Sequence, residues 1–324
     1  MKLCKVAIIQ HPPVFLNLAQ SIAKACDHIM QAAQQGARII AFPETWLPGY
    51  PVWLDEAPNA ALWHHAPALM LYRVLADNAI TLPSPELEQL LAVAHRAGAH
   101  VIMGAHEQAG GTLYNTTIYI SPDASYRIHR KLIPTYTERL VWGQGDGSTL
   151  SVVETEYGVL GGLICWEHWM PLARAAMHAK HEAIHVAQWP TVKDTHQVAS
   201  RHYAFEGQCF VLAAGTVLTR DDVLAGFDSL ALGESGAPAR ELLASIPDDE
   251  GTLIQSGGSA IITPQADYLA GPVFADARIV YAVLDSNLIT QGHLTLDTNG
   301  HYARPDVFQL TVNEQPLVNV KFNA

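Results

Sequence analysis

Three polar residues of different chemical kinds stand at the ends of short apolar runs: Glu44 after RIIAFP, Lys131 after YRIHR and Cys165 after VLGGLI. Such runs read as β-strands, and the C-terminal ends of strands are where rigid backbone aims side chains into a shared crevice. Brought together, the three make a coherent set. A thiolate is the reactive form of cysteine, and a nearby cation lowers the thiol pKa from about 8.5. Lys131 would supply that charge and then stabilise an anion developing on the substrate. Glu44 would take the thiol proton, pass it on and activate water. Each residue alone also has a plainer reading. A cysteine after GGLI packs in a core, as Cys4, Cys26 and Cys209 are expected to do, and a Glu or Lys at a strand end is commonly a solvated terminus.

The elements that must position these residues alternate between strand and helix up to about residue 215, the pattern of a layered α/β domain. Strands are expected over 6–10, 38–42, 100–104, 184–188 and 209–214, and helices over 18–35, 171–179 and 193–207. Ser84 followed by Pro85 is a helix start that should run to about Ala97 and stop at Gly98. Leu113 to Ile120 and Tyr126 to Arg130 flank the turn signal Ser121-Pro122-Asp123 and read as a hairpin. Strands over 152–154 and 159–164 pair around Tyr157-Gly158. Residues 219–252 are mixed in charge, hold Gly and Pro without clear periodicity, and read as a surface excursion; strands resume over 259–262 and 278–284. No repeat or low-complexity linker divides the chain, so a single domain over 1–324 is expected.

With 324 residues, 49% of them hydrophobic, the chain can fill a sizeable core. A formal charge of −12, from 31 acidic against 19 basic residues, argues against nucleic acid or an anionic membrane as partner. No signal peptide is visible, and no apolar stretch approaches the roughly 20 residues that span a bilayer. Four scattered cysteines without a C-x-x-C pair fit a reducing, cytoplasmic setting better than a disulfide framework.

The segments FPETWLPGYP around Glu44, HRKLIPTYTERLVWGQGDGS around Lys131 and GGLICWEHWMPLAR around Cys165 resemble, in order, the three signature segments of the nitrilase superfamily, and its nitrilase branch most of all. The similarity continues through IHVAQWP, RHYAFEGQCFVLAAGT, GGSAIITP and GHYARPDVF, nearly the whole chain. The resemblance implies an α/β fold, an α-β-β-α sandwich of two facing β-sheets with helices outside. It implies Cys165 as nucleophile, Glu44 as general base, Lys131 as stabiliser of the developing anion, and Glu138 as the second glutamate, orienting the lysine. The backbone N–H of Trp166 would complete the anion-binding site, and Tyr50, Trp142, Trp166 and Trp189 match pocket-lining positions. The substrate would be a small organic nitrile, hydrolysed without a cofactor or metal. A homodimer or a larger homo-oligomer, a spiral or filament included, is implied too, with residues from about 285 to 324 at subunit contacts. An aliphatic amidase or a cyanide hydratase or dihydratase would carry the same groups. Without the resemblance, Glu138 reads as a surface partner of Arg139 or Lys131, and each Trp as core or interface packing.

Other signals point elsewhere. His181-Glu182-Ala183-Ile184-His185 matches H-E-x-x-H, the zinc metallopeptidase pattern, with Glu206 downstream as a third ligand. That pattern needs both histidines on one helical face, yet Ile184 begins a predicted strand. The sixteen histidines are otherwise dispersed, and GQGDGS lacks the Gly-Lys-Ser/Thr of a phosphate loop, so it reads as a turn. A scaffold that keeps the fold but not the chemistry is a further alternative, against which the intact Glu44, Lys131, Glu138 and Cys165 set argues.

Overall fold

The computed structural model describes residues 3–247, 253–318 and 320. Its first half runs β1 (Leu3–Ile9), α1 (Leu18–Gln34), β2 (Ile39–Ala41), α2 (Trp53–Glu56), α3 (Ala66–Asp77), α4 (Pro85–Ala97), β3 (His100–Ala109), β4 (Thr112–Ile120) and β5 (Tyr126–Arg130). The second half runs β6 (Val153–Thr155), β7 (Gly158–Ile164), α5 (Pro171–His178), β8 (Glu182–Gln188), α6 (Asp194–Gly207), β9 (Phe210–Ala214), β10 (Val217–Leu218), α7 (Arg220–Asp228), α8 (Ala237–Ala244), β11 (Gln255–Ile262), β12 (Tyr268–Phe274), β13 (Ile279–Asp285) and α9 (Asn287–Gly292).

Side chains alternate across a strand, and here both faces are buried. Val6 and Ile8 of β1 join Ile39, Ile102, Tyr119, Val186 and Leu212 in a core between two sheets. Ala7 and Ile9, with Ile40 and Val101, face the other way onto Ile22 and Ile29 of α1 and Leu87 and Leu90 of α4. In the second sheet Leu163, Ala187 and Val211 face Met177 of α5 and Ala199 and Tyr203 of α6. The result is an α-β-β-α sandwich. One sheet has the order β13-β1-β2-β3-β4-β5; the other has β10-β11-β9-β8-β7-β6, with β12 on β11. Within them β1, β2 and β3 are parallel neighbours, as are β7, β8 and β9.

Local signals explain several boundaries. Ser84 Oγ accepts from Leu87 N at 3.2 Å and Gly98 ends α4 at φ +58°, as its cap residues predict. β4 and β5 pair antiparallel as expected, but β3 extends to Ala109 and forms a second hairpin with β4 through Gly110-Gly111. The expectation of a surface excursion over 219–252 needs correction. Its described part contains α7 and α8, whose Val223, Phe227, Leu242 and Leu243 are buried against Leu71, Val74 and Leu75 of α3; residues 248–252 lie outside the described residues. Each helix there is short, so its apolar stripe is too brief to register as a period.

Among the described residues no helix is long and apolar enough to cross a membrane. Beyond α9 the chain turns back over the second half: Lys180 Nζ meets Glu314 Oε1 at 2.8 Å, and Leu317 N donates to Asp146 Oδ2 at 2.7 Å. Asn319 and residues 321–324 lie outside the described residues.

Candidate active site

Glu44, Lys131 and Cys165 follow β2, β5 and β7, strands from both sheets, and the sheets are tied together at that end. Gln188 Nε2 donates to Phe42 O at 2.7 Å, Thr117 Oγ1 donates to Gln188 Oε1, and Glu44 N donates to Trp189 O at 3.3 Å. Gly104 of β3 is needed there, since a Cβ at that position would lie 2.1 Å from Pro43 O and 2.6 Å from Thr45 N. The glycine lets the backbone carrying Glu44 lie directly against β3.

The three residues and Glu138 meet in one cluster. Lys131 Nζ donates to Glu44 Oε1 at 2.8 Å and to Glu138 Oε2 at 2.6 Å. One donor atom from each of Glu44, Glu138 and Cys165 lies within 4.8 Å of the other two. Asn115 Nδ2 donates to Glu44 Oε1 at 2.7 Å, Thr135 N donates to Glu138 Oε2, and Tyr50 OH donates to Glu138 Oε1 at 3.1 Å. Glu44 Oε2 is buried with no other group among the described residues donating a hydrogen bond to it, so it faces the thiol as the atom that can take its proton. Glu138 is therefore not a surface partner of Arg139: it is buried and grips the lysine.

Cys165 adopts φ +53°, a left-handed conformation that a non-glycine residue enters only when its surroundings enforce it. It opens the 3-10 turn Cys165–Trp169. Glu167 in this turn is the clamp: its carboxylate accepts from Ile164 N at 2.6 Å, from Leu132 N at 2.7 Å and from His129 Nε2 at 2.9 Å. One buried side chain thereby locks the backbone before the cysteine to the backbone after the lysine.

The electrostatics depart from the simple expectation that the lysine makes the thiol acidic. Burial raises the Cys165 pKa well above its usual value, and the charge of Glu44 adds to this, so the opposing pull of Lys131 is outweighed. Burial also pushes the Glu44 carboxyl from 4.5 up to about 7, against the pull of Lys131 and with a further push from Glu138. Burial would depress the Lys131 ammonium, but Glu44, Cys165 and Glu138 together raise its pKa and keep it charged. The resting site thus holds a protonated thiol beside a carboxylate poised to accept its proton near neutral pH.

Cys165 is 4% exposed and opens onto a pocket of about 220 Å³. Tyr50, Glu138, Trp166, Lys193 and His196 are among its lining residues. The structure brings Tyr50 and Trp166 to the pocket and sets Trp142 and Trp189 in the layer behind. Trp142 donates its indole N–H to His106 Nδ1 at 2.9 Å and lies 5.7 Å from Lys131 Nζ, while Trp189 stacks on His196 with centroids 4.5 Å apart. Both touch residues that line the pocket or the lysine, not the pocket itself. Asn115, Glu167 and His129 were missed by sequence reasoning; the signal available for Asn115 was a polar residue inside the apolar alternation of LYNTTIYI.

The metallopeptidase pattern does not survive the backbone. Glu182 and His185 lie in β8, not on a helix, and Glu206 pairs with Arg174 at 2.7 Å and His178 at 3.2 Å. His185 points instead at Glu182 and at His168.

A family model described as carbon-nitrogen hydrolase matches residues 5–293. An aliphatic nitrilase from Sinorhizobium fredii (strain HH103) is 38% identical over 315 residues, 96% of each chain. Nitrilase 2 of Arabidopsis thaliana is 36% identical over 321 residues, 98% of this chain and 91% of that protein. Among solved structures, a CN-hydrolase superfamily protein from Xanthomonas campestris superposes with a TM-score of 0.66 at 14% identity, covering 97% of this chain and all of that one.

Proposed function

Because the chain belongs to the carbon-nitrogen hydrolase family, we propose that it is a nitrilase, converting an organic nitrile and two waters to a carboxylic acid and ammonia. The observation that carries this is the contact of a lysine ammonium with two carboxylates beside a buried, pocket-facing thiol. The names of the full-length relatives favour nitriles over amides. As the substrate enters, Glu44 takes the thiol proton while the sulfur of Cys165 bonds to the nitrile carbon. The nitrogen, gaining negative charge, faces Lys131 and the backbone N–H of Trp166 and receives the proton from Glu44, leaving a covalent thioimidate. A first water, deprotonated by Glu44, adds to that carbon. Both protons of that water pass in turn through Glu44 to the nitrogen, the C–N bond breaks as the carbonyl forms, ammonia leaves, and a thioester remains. A second water attacks through the same base, the C–S bond breaks, and the acid and the free thiol are released.

Glu138 serves by fixing the lysine between the carboxylates. Preorganised donors of this kind are typically worth a rate factor of about 10²–10³ each. Tyr50 and Trp166 are the substrate-binding residues in contact with the pocket, and Trp142 and Trp189 support its wall. The chain works as one domain over 1–324, in the cytoplasm, and as a homodimer or larger homo-oligomer. The reducing compartment is supported by four free cysteines, and self-association by exposed apolar side chains such as Trp63, Trp169, Leu172 and Phe308. Rates on a panel of nitriles and their matching amides, with acid and amide products quantified, test the reading. Turnover of nitriles to acid is expected; turnover of amides alone would reassign the chain to the amidases of the same family.

A further inference from the structure

Glu182 and His185 of the unused H-E-x-x-H string lead back to the nucleophile. Tyr203 OH donates to Glu182 Oε2 at 2.5 Å, and Glu182 Oε1 meets His185 Nδ1 at 2.9 Å. His185 Nε2 meets His168 Nε2 at 3.0 Å, and His168 Nδ1 meets the carbonyl oxygen of Cys165 at 2.7 Å. All four side chains are buried. Gly161 in β7 makes room for this line, since a Cβ there would lie 1.9 Å from Glu182 Oε1.

Counting protons fixes the direction of the line. A carbonyl oxygen only accepts, so His168 Nδ1 carries hydrogen. A 3.0 Å nitrogen-to-nitrogen contact needs one proton between the two Nε2 atoms, and the contact with Glu182 needs another. Glu182, His185 and His168 therefore share three protons and are neutral as a set. Burial and the neighbouring His185 keep His168 from taking the extra charge, and His185, with Tyr203 beside it, holds Glu182 ionised despite burial.

We infer that Glu182, His185 and His168 are positioning residues that orient and polarise the peptide unit joining Cys165 to Trp166. The carbonyl of this unit receives the His168 hydrogen bond; its N–H is the donor assigned above to the substrate anion, and in the first turn of a 3-10 helix that N–H has no acceptor within the helix. Hydrogen bonds in series strengthen one another, so a donor on the carbonyl makes the N–H of the same peptide a stronger donor. Other charged or titratable groups around it are Arg174, whose Nη1 donates to His168 O, His196 on Trp189, and His178 against Tyr203.

The inference rests on the nitrilase reading, and Tyr203→Phe and Glu182→Gln test it. The first removes one hydroxyl and leaves in place the ring that stacks 3.7 Å from His185; the second removes the charge. Initial rates on a nitrile turned over by the wild type, and alkylation of Cys165 by iodoacetamide, are measured side by side. Alkylation needs the thiol but no anion site. We expect kcat to fall ~3- to 10-fold in Tyr203→Phe and ~10²-fold in Glu182→Gln, with KM within about twofold and alkylation unchanged. Unchanged kcat in Tyr203→Phe, or alkylation falling in step with kcat, overturns the inference. A wild type that hydrolyses neither nitriles nor amides overturns the reading beneath it instead.

Discussion

Sulfur, ammonium and carboxylate chemistry converge on single atoms, and substitutions there have sharply different consequences. Cys165→Ala should abolish turnover, while Cys209→Ala should keep it, because Cys209 is packed under α6 away from the pocket; equal losses in the two variants would contradict the assignment. Glu44 must be ionised to receive the thiol proton, and burial has moved its pKa up to about 7. Hence kcat/KM should fall as pH drops through about 7. Glu138 contributes to that rise, so in Glu138→Gln the residual activity should keep its acidic limb but at lower pH; a limb that stays in place or moves up would show that the charge of Glu138 does not act on Glu44. Glu44, Lys131 and Cys165 were legible in sequence because each follows an apolar run. The raised thiol pKa was not, because a linear reading registers a nearby lysine but not the burial that outweighs it.

Elements give those atoms their precision. Gly104→Ala would force β3 and the Glu44 backbone apart, and displacements of about 1 Å cost roughly 10²-fold in rate. Such a loss in kcat is expected, and wild-type kcat would show that this contact does not set the position of Glu44. Glu167→Ala would strand Ile164 N, Leu132 N and the His129 ring without their acceptor. At about 1–3 kcal/mol for each buried unpaired group, its urea midpoint should fall well below that of the wild type; an unchanged midpoint would remove the clamp from the account. Strong alternation and explicit caps made β1, α4, β4, β5 and β7 readable. The helices α2, α3, α7 and α8 were not, since their apolar residues, such as Trp53, Leu71 and Phe227, find partners only across the chain. The clamp of Glu167 was hidden for the same reason: CWEH shows the residue, but not the two backbone segments it joins.

At the scale of the molecule, the sandwich makes close neighbours of residues 44, 131, 138 and 165. The resemblance of three segments anticipated that architecture, and the order of the strands explains it: β2 and β5 end in one sheet, β7 in the other, and Gln188 bolts the ends together. The proposed self-association predicts that sedimentation gives a multiple of the chain mass; a strictly monomeric, fully active chain would remove that proposal. Convergence on one sulfur is tested most directly by acid-quenching the enzyme during turnover of a nitrile and mapping the adduct by peptide mass spectrometry. The substrate-derived mass is predicted on the peptide carrying Cys165 and absent from Cys165→Ala, whereas an adduct elsewhere, or nitrile turnover that persists in that variant, would contradict the account.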